Sequence, residues 1–325
     1  MICDTEDKLK KLGFTPEPNS LKPIAKGGSM RSFLRFESGQ KPYIFCEYSA
    51  EKEENFLYAS IADFLKQNGV NVCGIALHDT GKRILIMEDL GELDLLDFSK
   101  KADDFSKGKA YKNALQEAFK IHTKASASFK VRPIKLMPGF DEKLYEWEHD
   151  YFYKNLICEL LGLKEQAPKE EWRDMIAKFL SLPQCLLHRD FQSQNIIVNP
   201  ETLETSLIDF QGMRIGVNWY DLGSLIFDPY SDLEPKLREK LFKFYCELSN
   251  LNPDLERNNF LELSSQRLMQ ALGAFAFLYK NRGKSEYLKY VVPALKNLLF
   301  CAQSCGLKDT AKLAGKALEK AKSMA

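Results

Sequence analysis

Two short apolar segments that flank a polar loop constrain the fold of this chain more than any other feature. Residues 186–187 form the first segment and residues 196–198 form the second. Between them lie His188-Arg189-Asp190 and, after four further residues, Asn195. Short apolar runs bounded by polar residues are typical of buried strands. The sequence therefore predicts two core strands that hold a polar loop between them.

The polar residues of this loop have the spacing of a phosphoryl-transfer active site. An H-R-D triplet followed by four residues and an asparagine forms the catalytic loop of such enzymes. A further apolar run, 206–208, leads into Asp209. Asp190 would accept the proton of an attacking hydroxyl, while Asn195 and Asp209 would hold Mg²⁺ against the phosphates of ATP. Residues that merely cap strands explain each position singly, but not all three in this order.

His188 and Asp221 are expected to support this loop rather than to react. His188 adjoins the proposed catalytic residue, and we interpret it as a structural hydrogen-bonding group. Asp221 follows Asp209 by twelve residues, at the start of a helix predicted over 222–227. It would either hydrogen-bond back to the loop or cap that helix.

Composition argues against several other classes of protein. A length of 325 residues and an apolar fraction of 45% suffice for two lobes around a sizeable core. The formal net charge of +1 gives no reason to expect binding to nucleic acid or membrane. The eight cysteines lack zinc-site or disulfide spacing. Without a signal-like N-terminus or an apolar run of ~20 residues, a cytoplasmic protein is expected; the sequence does not predict its oligomeric state.

The first 90 residues are predicted to form a nucleotide-binding lobe. Gly27, Gly28 and Ser29 precede an alternating strand, and glycines let a backbone approach phosphates closely. These residues are a candidate lid over ATP, favoured by their position ahead of a strand and upstream of the catalytic loop, although a hairpin turn is the commoner meaning of such a segment taken alone. Further elements are predicted as strands at 43–48, 74–78 and 83–87 and a helix at 51–67.

The strand at 43–48 lacks the lysine that holds the α- and β-phosphates in protein kinases. Lys41 precedes this strand, on the far side of Pro42. Either Arg31 or Arg35 replaces the lysine, or the backbone and the metal anchor the phosphates. Of the two arginines, Arg31 is the predicted phosphate-binding residue, since its planar guanidinium suits phosphate oxygens.

The turn at 88–91 is the predicted boundary between a lobe of residues 1–90 and a helical lobe of residues 91–325. In a kinase such a linker offers backbone groups to adenine, so Glu88 and Leu90 are candidate nucleotide-binding residues. Helical periodicity follows, with helices predicted at 104–126, 141–161, 167–180, 232–248, 255–281 and 284–304. These elements predict an α+β fold.

The segment 145–152 combines acidic and aromatic side chains. Trp147 would stack on the face of a sugar, and Glu148 and Asp150 would bind hydroxyl or amine groups. An amphipathic helix that buries its aromatic residues explains the segment equally well. At helical spacing Glu146 and Asp150 share a face and Glu148 lies well round from them. The three carboxylates therefore do not converge easily on a polycation.

The chain resembles the aminoglycoside phosphotransferase/choline kinase superfamily. The motifs that carry the resemblance are His188 to Asn195, Asp209-Phe210-Gln211 and Trp219-Tyr220-Asp221-Leu222. Within the superfamily it is most similar to bacterial cell-wall sugar kinases, which phosphorylate N-acetylmuramate and N-acetylglucosamine at the anomeric hydroxyl. Further similar stretches are 28–33, 88–91, 148–152, 266–267, 273–276 and 283–288. The resemblance implies a bilobal kinase-like fold, ATP with Mg²⁺, and transfer to a hydroxyl of a small molecule.

The segment that follows Asp209 supports a small acceptor. It is too short for a long activation loop and lacks the A-P-E signature that helps to seat protein substrates. Arg214 of this segment is a candidate acceptor-binding residue. Gln211 stands where protein kinases have glycine, and Gln192 stands where many relatives carry histidine.

Three functions stay open at this point. They are an anomeric amino-sugar kinase of cell-wall recycling, an aminoglycoside- or choline-type kinase with a cationic acceptor, and a nucleotide-binding pseudokinase. The complete set of Asp190, Asn195 and Asp209 argues against the pseudokinase. A polycationic acceptor favours carboxylates over the cleft, whereas residues 308–325 hold five lysines against two acidic residues, Asp309 and Glu319.

Overall fold

A five-stranded antiparallel sheet forms the N-terminal part of the protein. The computed structural model describes residues 2–24 and 31–324, so the candidate lid residues Gly27, Gly28 and Ser29 lie outside the described residues. The strands are β1 (Lys22–Ile24), β2 (Ser32–Ser38), β3 (Lys41–Glu47), β4 (Ile75–Asp79) and β5 (Ile84–Glu88). Their order in the sheet is β1-β2-β3-β5-β4. The helices of this part are α1 (Ile2–Lys11) and α2 (Tyr58–Gln67), the latter preceded by a 3₁₀ turn at Glu53–Leu57.

Because side chains alternate along the strands, the two faces of this sheet pack into different hydrophobic clusters. Phe45 of β3 is paired with Ile86 of β5, and the neighbouring pair is Cys46 with Leu85. Successive side chains of a strand point to opposite faces. Phe45 and Ile86 therefore pack with Leu9 of α1 in a small cluster. Cys46 and Leu85 face α2 and join the large core that continues into the C-terminal part.

The C-terminal part is mainly helical. Its helices are α3 (Leu95–Lys101), α4 (Asp104–Lys120), α5 (Ser126–Val131), α6 (Glu142–Phe152), α7 (Lys169–Ser181), α8 (Trp219–Ile226), α9 (Pro235–Leu248), α10 (Pro253–Arg282), α11 (Val291–Cys305) and α12 (Lys308–Lys322). Two π-helical segments, Ile121–Ala125 and Tyr153–Leu160, extend α4 and α6. Among the described helices, none has both the length and the apolar composition needed to cross a bilayer.

Four short strands complete the C-terminal part as two separate two-stranded sheets. The strands are β6 (Cys185–Leu187), β7 (Ile196–Val198), β8 (Thr205–Leu207) and β9 (Arg214–Gly216). β6 pairs with β9, and β7 pairs with β8. The two strands predicted on either side of the polar loop are therefore both present, each held by a partner that comes later in the chain.

Local signals explain where several helices begin and end. Asp94, Asp103 and Asp141 each accept a hydrogen bond from the backbone N–H three residues on, at the starts of α3, α4 and α6. Gly283 and Gly306 follow α10 and α11 in the left-handed conformation, which glycine adopts without steric cost.

The two parts of the chain meet beyond the linker as well as through it. The Leu207 N–H donates to the Asn71 carbonyl at 2.8 Å, and Val72 forms a parallel bridge with Leu207. The Asn71 N–H donates to Glu117 of α4 at 2.8 Å. We propose residue 90 as the lobe boundary, with residues 71–72 as a second point of attachment.

The structure confirms the α+β class and corrects three details. Sequence periodicity misses β1, α3 and β9, because each is short and carries too few apolar residues to show a period. The helix predicted at 284–304 begins at Val291, since Ser285–Tyr290 forms a 3₁₀ turn. The helix predicted at 104–126 continues through its π-helical segment to Val131.

α10 is the central helix of the C-terminal part and packs on α6, α8 and α11. Its middle is buried on every side from residue 260 to 273, as expected of a helix surrounded by neighbours. Close approach requires glycine at the contacts. A Cβ on Gly273 would lie 2.9 Å from the Phe152 backbone nitrogen and 2.8 Å from Tyr151 Cδ1.

We expect Gly273→Ala to lower the free energy of unfolding by about 1–3 kcal/mol, because the added methyl group would overlap backbone of α6. Gly315→Ala in α12 is the matched control. Its nearest neighbour, Leu299 Cδ1, would be 4.0 Å away, so the change should be neutral or stabilise by up to about 1 kcal/mol. Denaturant unfolding followed by circular dichroism measures both. Equal unfolding free energies for the two variants would contradict the close packing.

Candidate active site

β6 and β7 hold the polar loop at its two ends and bring the three predicted catalytic and metal-binding residues into one network. The Asn195 side-chain amide donates to the Asp190 carbonyl at 2.9 Å. The Ile208 N–H donates to the Asn195 carbonyl at 3.0 Å, which links the loop to the residue just before Asp209. His188 Nε2 also donates to the Ile208 carbonyl, at 3.0 Å.

Asp221, at the start of α8, holds the loop through hydrogen bonds to its backbone. The backbone N–H groups of His188 and Arg189 donate to its two carboxylate oxygens at 2.7 and 2.8 Å. His122 Nε2 donates to the same carboxylate at 3.1 Å, and Asp221 is fully buried. Of the two roles considered for Asp221, the geometry is that of a hydrogen bond back to the loop. No side-chain cap is formed by Asn218 at the start of α8.

Two residues of the site have a left-handed backbone conformation. Arg189 has a φ of 75° and Asp209 has a φ of 64°. This conformation is uncommon for residues other than glycine and is often found at functional sites. The hydrogen bond from the Arg189 N–H to Asp221 helps to hold the first of them.

Two arginines lie beside the Asp190 carboxylate. Arg189 donates to Oδ2 at 2.8 Å, and an Arg267 terminal nitrogen lies 3.7 Å from Oδ1. Burial alone would raise the pKa of Asp190, but the charges of Arg189 and then Arg267 lower it to about 2. The carboxylate is therefore ionised at neutral pH and suited to accepting a hydrogen bond from a hydroxyl group.

Asn195 and Asp209 carry oxygen atoms that fit a hard cation. Asn195 uses its amide nitrogen on Asp190, so its Oδ1 keeps no partner among the described residues. Asp209 Oδ1 accepts from Gln211 at 3.0 Å and pairs with Arg31, and no described residue donates to its Oδ2. Mg²⁺ prefers such oxygen ligands and usually takes only one or two from protein, with water and phosphates completing the set.

Arg31 lies at the end of the sheet that faces this site, where it pairs with Asp209. Ser32, the next residue, is opposite Glu47 at the end of β3. The predicted strand begins at residue 43 and leaves Lys41 outside, whereas in the structure Lys41 is the first residue of β3. Lys41 and Glu47 are the two ends of β3 and lie about 20 Å apart. Lys41 is therefore at the end of the sheet away from Asp209, too far to hold a phosphate beside it.

Arg35 contacts the linker and not the site. Its guanidinium forms a two-pronged pair with the Asp89 carboxylate, contacts Glu92 and donates to the Gly91 carbonyl at 3.2 Å. Of the two arginines considered as a replacement for the strand lysine, Arg31 therefore contacts a predicted metal-binding residue and Arg35 does not.

The two predicted linker residues differ in what they offer. The Glu88 side chain accepts from the Gly74 N–H at 3.0 Å and lies 3.8 Å from Lys66. Leu90 is half-buried against the core, and its backbone N–H and C=O have no hydrogen-bond partner in the described part of the chain. The backbone of Leu90 is thus available to a ligand, whereas the Glu88 carboxylate serves the sheet.

Glu148 is fully buried in this structure, so its carboxylate does not face an acceptor there, and the contact predicted for it stays a prediction. Its Oε1 accepts from the Tyr220 hydroxyl at 2.9 Å, and its Oε2 accepts from the Gln266 amide at 3.0 Å. Burial raises the pKa of Glu148, although Arg189 and Arg267 partly oppose that change. Glu148 therefore acts from beneath the site, on the arginines that flank Asp190.

Trp147 and Asp150 lie on the opposite, exposed side of α6, so the three predicted residues of this helix do not form one site. The Trp147 ring is about half exposed and stacks on Tyr151 with centroids 4.8 Å apart. Burial raises the pKa of Tyr151 to about 12, and the positive charge of Arg189 partly opposes this rise. Tyr151 thus links this side of α6 to the arginine beside Asp190.

Arg214 is buried next to the loop. Its Nε donates to the Gly212 carbonyl at 3.1 Å, and its guanidinium lies over the Phe140 ring at 5.6 Å. Gly212 in turn adjoins Asp190, since a Cβ there would lie 3.8 Å from the carboxylate. Burial lowers the pKa of Arg214, and the positive charge of Arg189 lowers it further.

Sequence reasoning gives no role to Arg267 or Asp228, which both hold the site. Arg267 Nε donates to the Ser224 hydroxyl at 3.1 Å, and its terminal nitrogens contact Gln270 and face Asp190. Asp228 accepts from both the N–H and the hydroxyl of Ser193. A charged residue in the middle of an otherwise buried helix is the signal that identifies Arg267.

We expect Asp221→Asn to lower the unfolding free energy by about 2–3 kcal/mol, because one oxygen that accepts a backbone hydrogen bond is lost. Turnover should fall at least about 100-fold, since the loop loses its geometry. Asp174→Asn, at an exposed position of α7, is the control and should change neither value. Denaturant unfolding and initial rates measure the effects, and a variant with wild-type turnover would contradict the role of Asp221.

Comparison with known proteins identifies the family. Residues 20–260 match the family model described as the APH phosphotransferase enzyme family. An N-acetylmuramate/N-acetylglucosamine kinase of Pseudomonas aeruginosa is 25% identical over 286 residues, which cover 83% of this chain and 80% of that protein.

Solved structures share the fold. A choline/ethanolamine kinase family protein from Mesorhizobium loti superimposes with a TM-score of 0.65 at 14% identity, covering 97% of this chain and 99% of the other. An aminoglycoside phosphotransferase solved with streptomycin and ATP gives a TM-score of 0.54 at 15% identity, covering 88% and 94%. These likenesses confirm the bilobal kinase-like fold. The chain belongs to the phosphotransferase enzyme family and is a phosphotransferase that acts on a hydroxyl acceptor.

Proposed function

We propose that the protein is an ATP-dependent kinase that phosphorylates the anomeric hydroxyl of a cell-wall amino sugar. One observation carries the kinase assignment: an ionised Asp190 shares a loop with Asn195, which adjoins Asp209. The similarity to the amino-sugar kinase of Pseudomonas aeruginosa supports the acceptor. Because the catalytic set is complete, a pseudokinase is disfavoured.

The nucleotide would lie between the linker and the metal-binding residues. The free backbone groups of Leu90 are suited to adenine, and Arg31 to the phosphates, because its planar fork matches phosphate oxygens. The glycine-serine segment 27–29 stays a proposed lid over ATP. A kinase that uses ATP works where ATP is available, so we propose a cytoplasmic location.

Asn195 and Asp209 are the residues that would hold Mg²⁺. When bound, the metal supplies positive charge that neutralises the phosphates during transfer. Arg31 pairs with Asp209 in the described structure, so the same carboxylate serves both a protein cation and the proposed metal. The second carboxylate oxygen, which has no donor among the described residues, is the free position for it.

Asp190 would orient the acceptor hydroxyl and receive its proton. Its pKa of about 2 makes it a weak base, so its contribution is chiefly the orientation of the nucleophile, and the proton follows late. Positioning dominates in phosphoryl transfer, because the transition state needs little covalent assistance from the protein.

The charge around Asp190 favours a neutral or anionic acceptor. Arg189, Arg214 and Arg267 lie on this side of the site, against the carboxylates of Asp190 and the buried Glu148. A cation such as choline or a polycationic drug would meet these guanidinium groups, of which Arg214 has no carboxylate within 4.0 Å among the described residues. Trp147 and Asp150, exposed on α6, stay proposed contacts for the sugar.

We expect the enzyme to phosphorylate N-acetylmuramate or N-acetylglucosamine with ATP and Mg²⁺ and to leave choline and kanamycin unmodified. The product should release phosphate in mild acid, because a phosphate on an anomeric carbon hydrolyses where a primary-alcohol phosphate survives. Phosphate release before and after acid treatment decides the matter. An acid-stable product, or transfer only to the cationic acceptors, would refute the amino-sugar assignment and leave the kinase fold intact.

We expect Asp190→Asn to bind ATP as the wild type does and to lose turnover by ~10²–10⁴-fold, since the lost group acts on the acceptor hydroxyl. Calorimetry measures the nucleotide affinity, and initial rates with the amino sugar measure turnover. Asp174→Asn serves again as the exposed control. More than about a tenth of wild-type turnover in Asp190→Asn would remove Asp190 from this role.

A further inference from the structure

Arg214 is a buried guanidinium whose hydrogen-bonding capacity is largely unused. The residue is only 8% exposed. Its single hydrogen bond, from Nε to the Gly212 carbonyl, leaves both terminal nitrogens without an acceptor in the described part of the chain. Neither of these nitrogens is among the fully enclosed polar atoms without a partner in the described residues. Burying a charge without a partner is costly, and such a group is a candidate for binding an anion.

The other two arginines beside Asp190 are already engaged. Arg189 donates to the Asp190 carboxylate. Arg267 donates to Ser224, contacts Gln270 and faces Asp190. Arg214 has no carboxylate within 4.0 Å among the described residues, which distinguishes it from both.

Arg214 lies near Asp190, the residue proposed to orient the acceptor, because Gly212, whose carbonyl accepts from Arg214 Nε, adjoins the Asp190 carboxylate. It opens β9, opposite Leu187 at the end of β6, and its guanidinium lies over Phe140. The Phe140 N–H donates to the Ile215 carbonyl at 2.8 Å, which fixes that ring beside β9. The phosphate side is marked instead by Arg31, which pairs with Asp209 from the N-terminal sheet.

We propose that Arg214 binds a carboxylate of the acceptor, so that an acidic amino sugar is the preferred substrate. The inference rests on the proposed function, because it concerns the acceptor of that reaction. A guanidinium binds a carboxylate through two parallel hydrogen bonds, and both terminal nitrogens of Arg214 are available for them. N-acetylmuramate and N-acetylglucosamine form a matched pair, since they differ by a lactyl ether that carries one carboxylate.

The transferring phosphoryl group is the other anion that this guanidinium could meet. The two sources predict different kinetics. A carboxylate contact acts on one sugar of the pair, whereas a phosphoryl contact acts on the transfer step for both. The comparison of the two sugars therefore distinguishes them.

The test measures initial rates at saturating ATP for wild type, Arg214→Gln and Arg214→Lys with each sugar. Wild type should have the higher kcat/KM for N-acetylmuramate. Arg214→Gln should lower that value roughly 10–100-fold and change kcat/KM for N-acetylglucosamine by less than about threefold. Arg214→Lys should lie between, because lysine keeps the charge and loses the planar fork.

Two controls accompany these variants. Retained turnover of N-acetylglucosamine shows that Arg214→Gln is folded, and circular dichroism checks this independently. Arg173→Gln, at an exposed position of α7, should leave the preference between the sugars unchanged. An equal fall in kcat for both sugars, or an unchanged preference in Arg214→Gln, would overturn the proposal.

A binding measurement separates this inference from the proposed function. Calorimetry without ATP compares N-acetylmuramate with its methyl ester on wild type and Arg214→Gln. We expect esterification to weaken binding to wild type at least about tenfold and to make no difference in the variant. If neither sugar is phosphorylated, the proposed function fails, and the binding result alone decides on Arg214. Equal binding of acid and ester to wild type, or no binding of either, overturns the proposal.

Discussion

The hydrogen bonds from two successive backbone N–H groups to the buried Asp221 carboxylate hold the whole site together. A fully buried carboxylate is stable only if its oxygens are satisfied, and here the N–H groups of His188 and Arg189 and the His122 ring satisfy them. The same bonds hold Arg189 in its left-handed conformation. The positions of Asp190 and, through its carbonyl, of Asn195 follow from that one contact.

The charges of the site are divided between two sides. On the sheet side, Arg31, the residue before β2, meets Asp209, which follows β8. On the helical side, Arg189 and Arg267 lie beside Asp190, Arg214 is bonded to the neighbouring Gly212, and Glu148 is buried with its own hydrogen bonds satisfied. The carboxylate that would orient the acceptor is thus kept ionised by its neighbours. This arrangement suits a reaction in which phosphate oxygens approach from one side and a hydroxyl group from the other.

The sequence predicts those parts of the site whose signals are local. The loop of Asp190 and Asn195 is recognisable because its residue types, its spacing and its apolar flanks lie within a few positions of one another. Helical spacing also separates Glu148 from Glu146 and Asp150 correctly, since only Glu148 is buried. Helical spacing does not tell which side of α6 faces inward. Because charged residues are seldom fully buried, the burial of Glu148 is not predicted from the sequence.

Contacts between distant parts of the chain are beyond such signals. Arg31 and Arg35 lie four residues apart, on one face of the same strand region. The choice depends on what lies opposite each of them, Asp209 in one case and Asp89 in the other. The role of Asp221 is similarly undecided until α8 is placed under the loop. Arg214 belongs to a three-residue strand that no periodicity predicts.

The pair between Arg35 and Asp89 makes the length of β2 a determinant of the distances within the cleft. Arg35 fastens one point of the strand to the linker, and Arg31, four residues away, reaches Asp209. The span between the two arginines, about 13 Å of extended chain, is therefore set by covalent geometry. An inserted residue between them would turn one arginine to the other face of the sheet. The length of this strand thus fixes how far the linker end of the cleft lies from its metal-binding end.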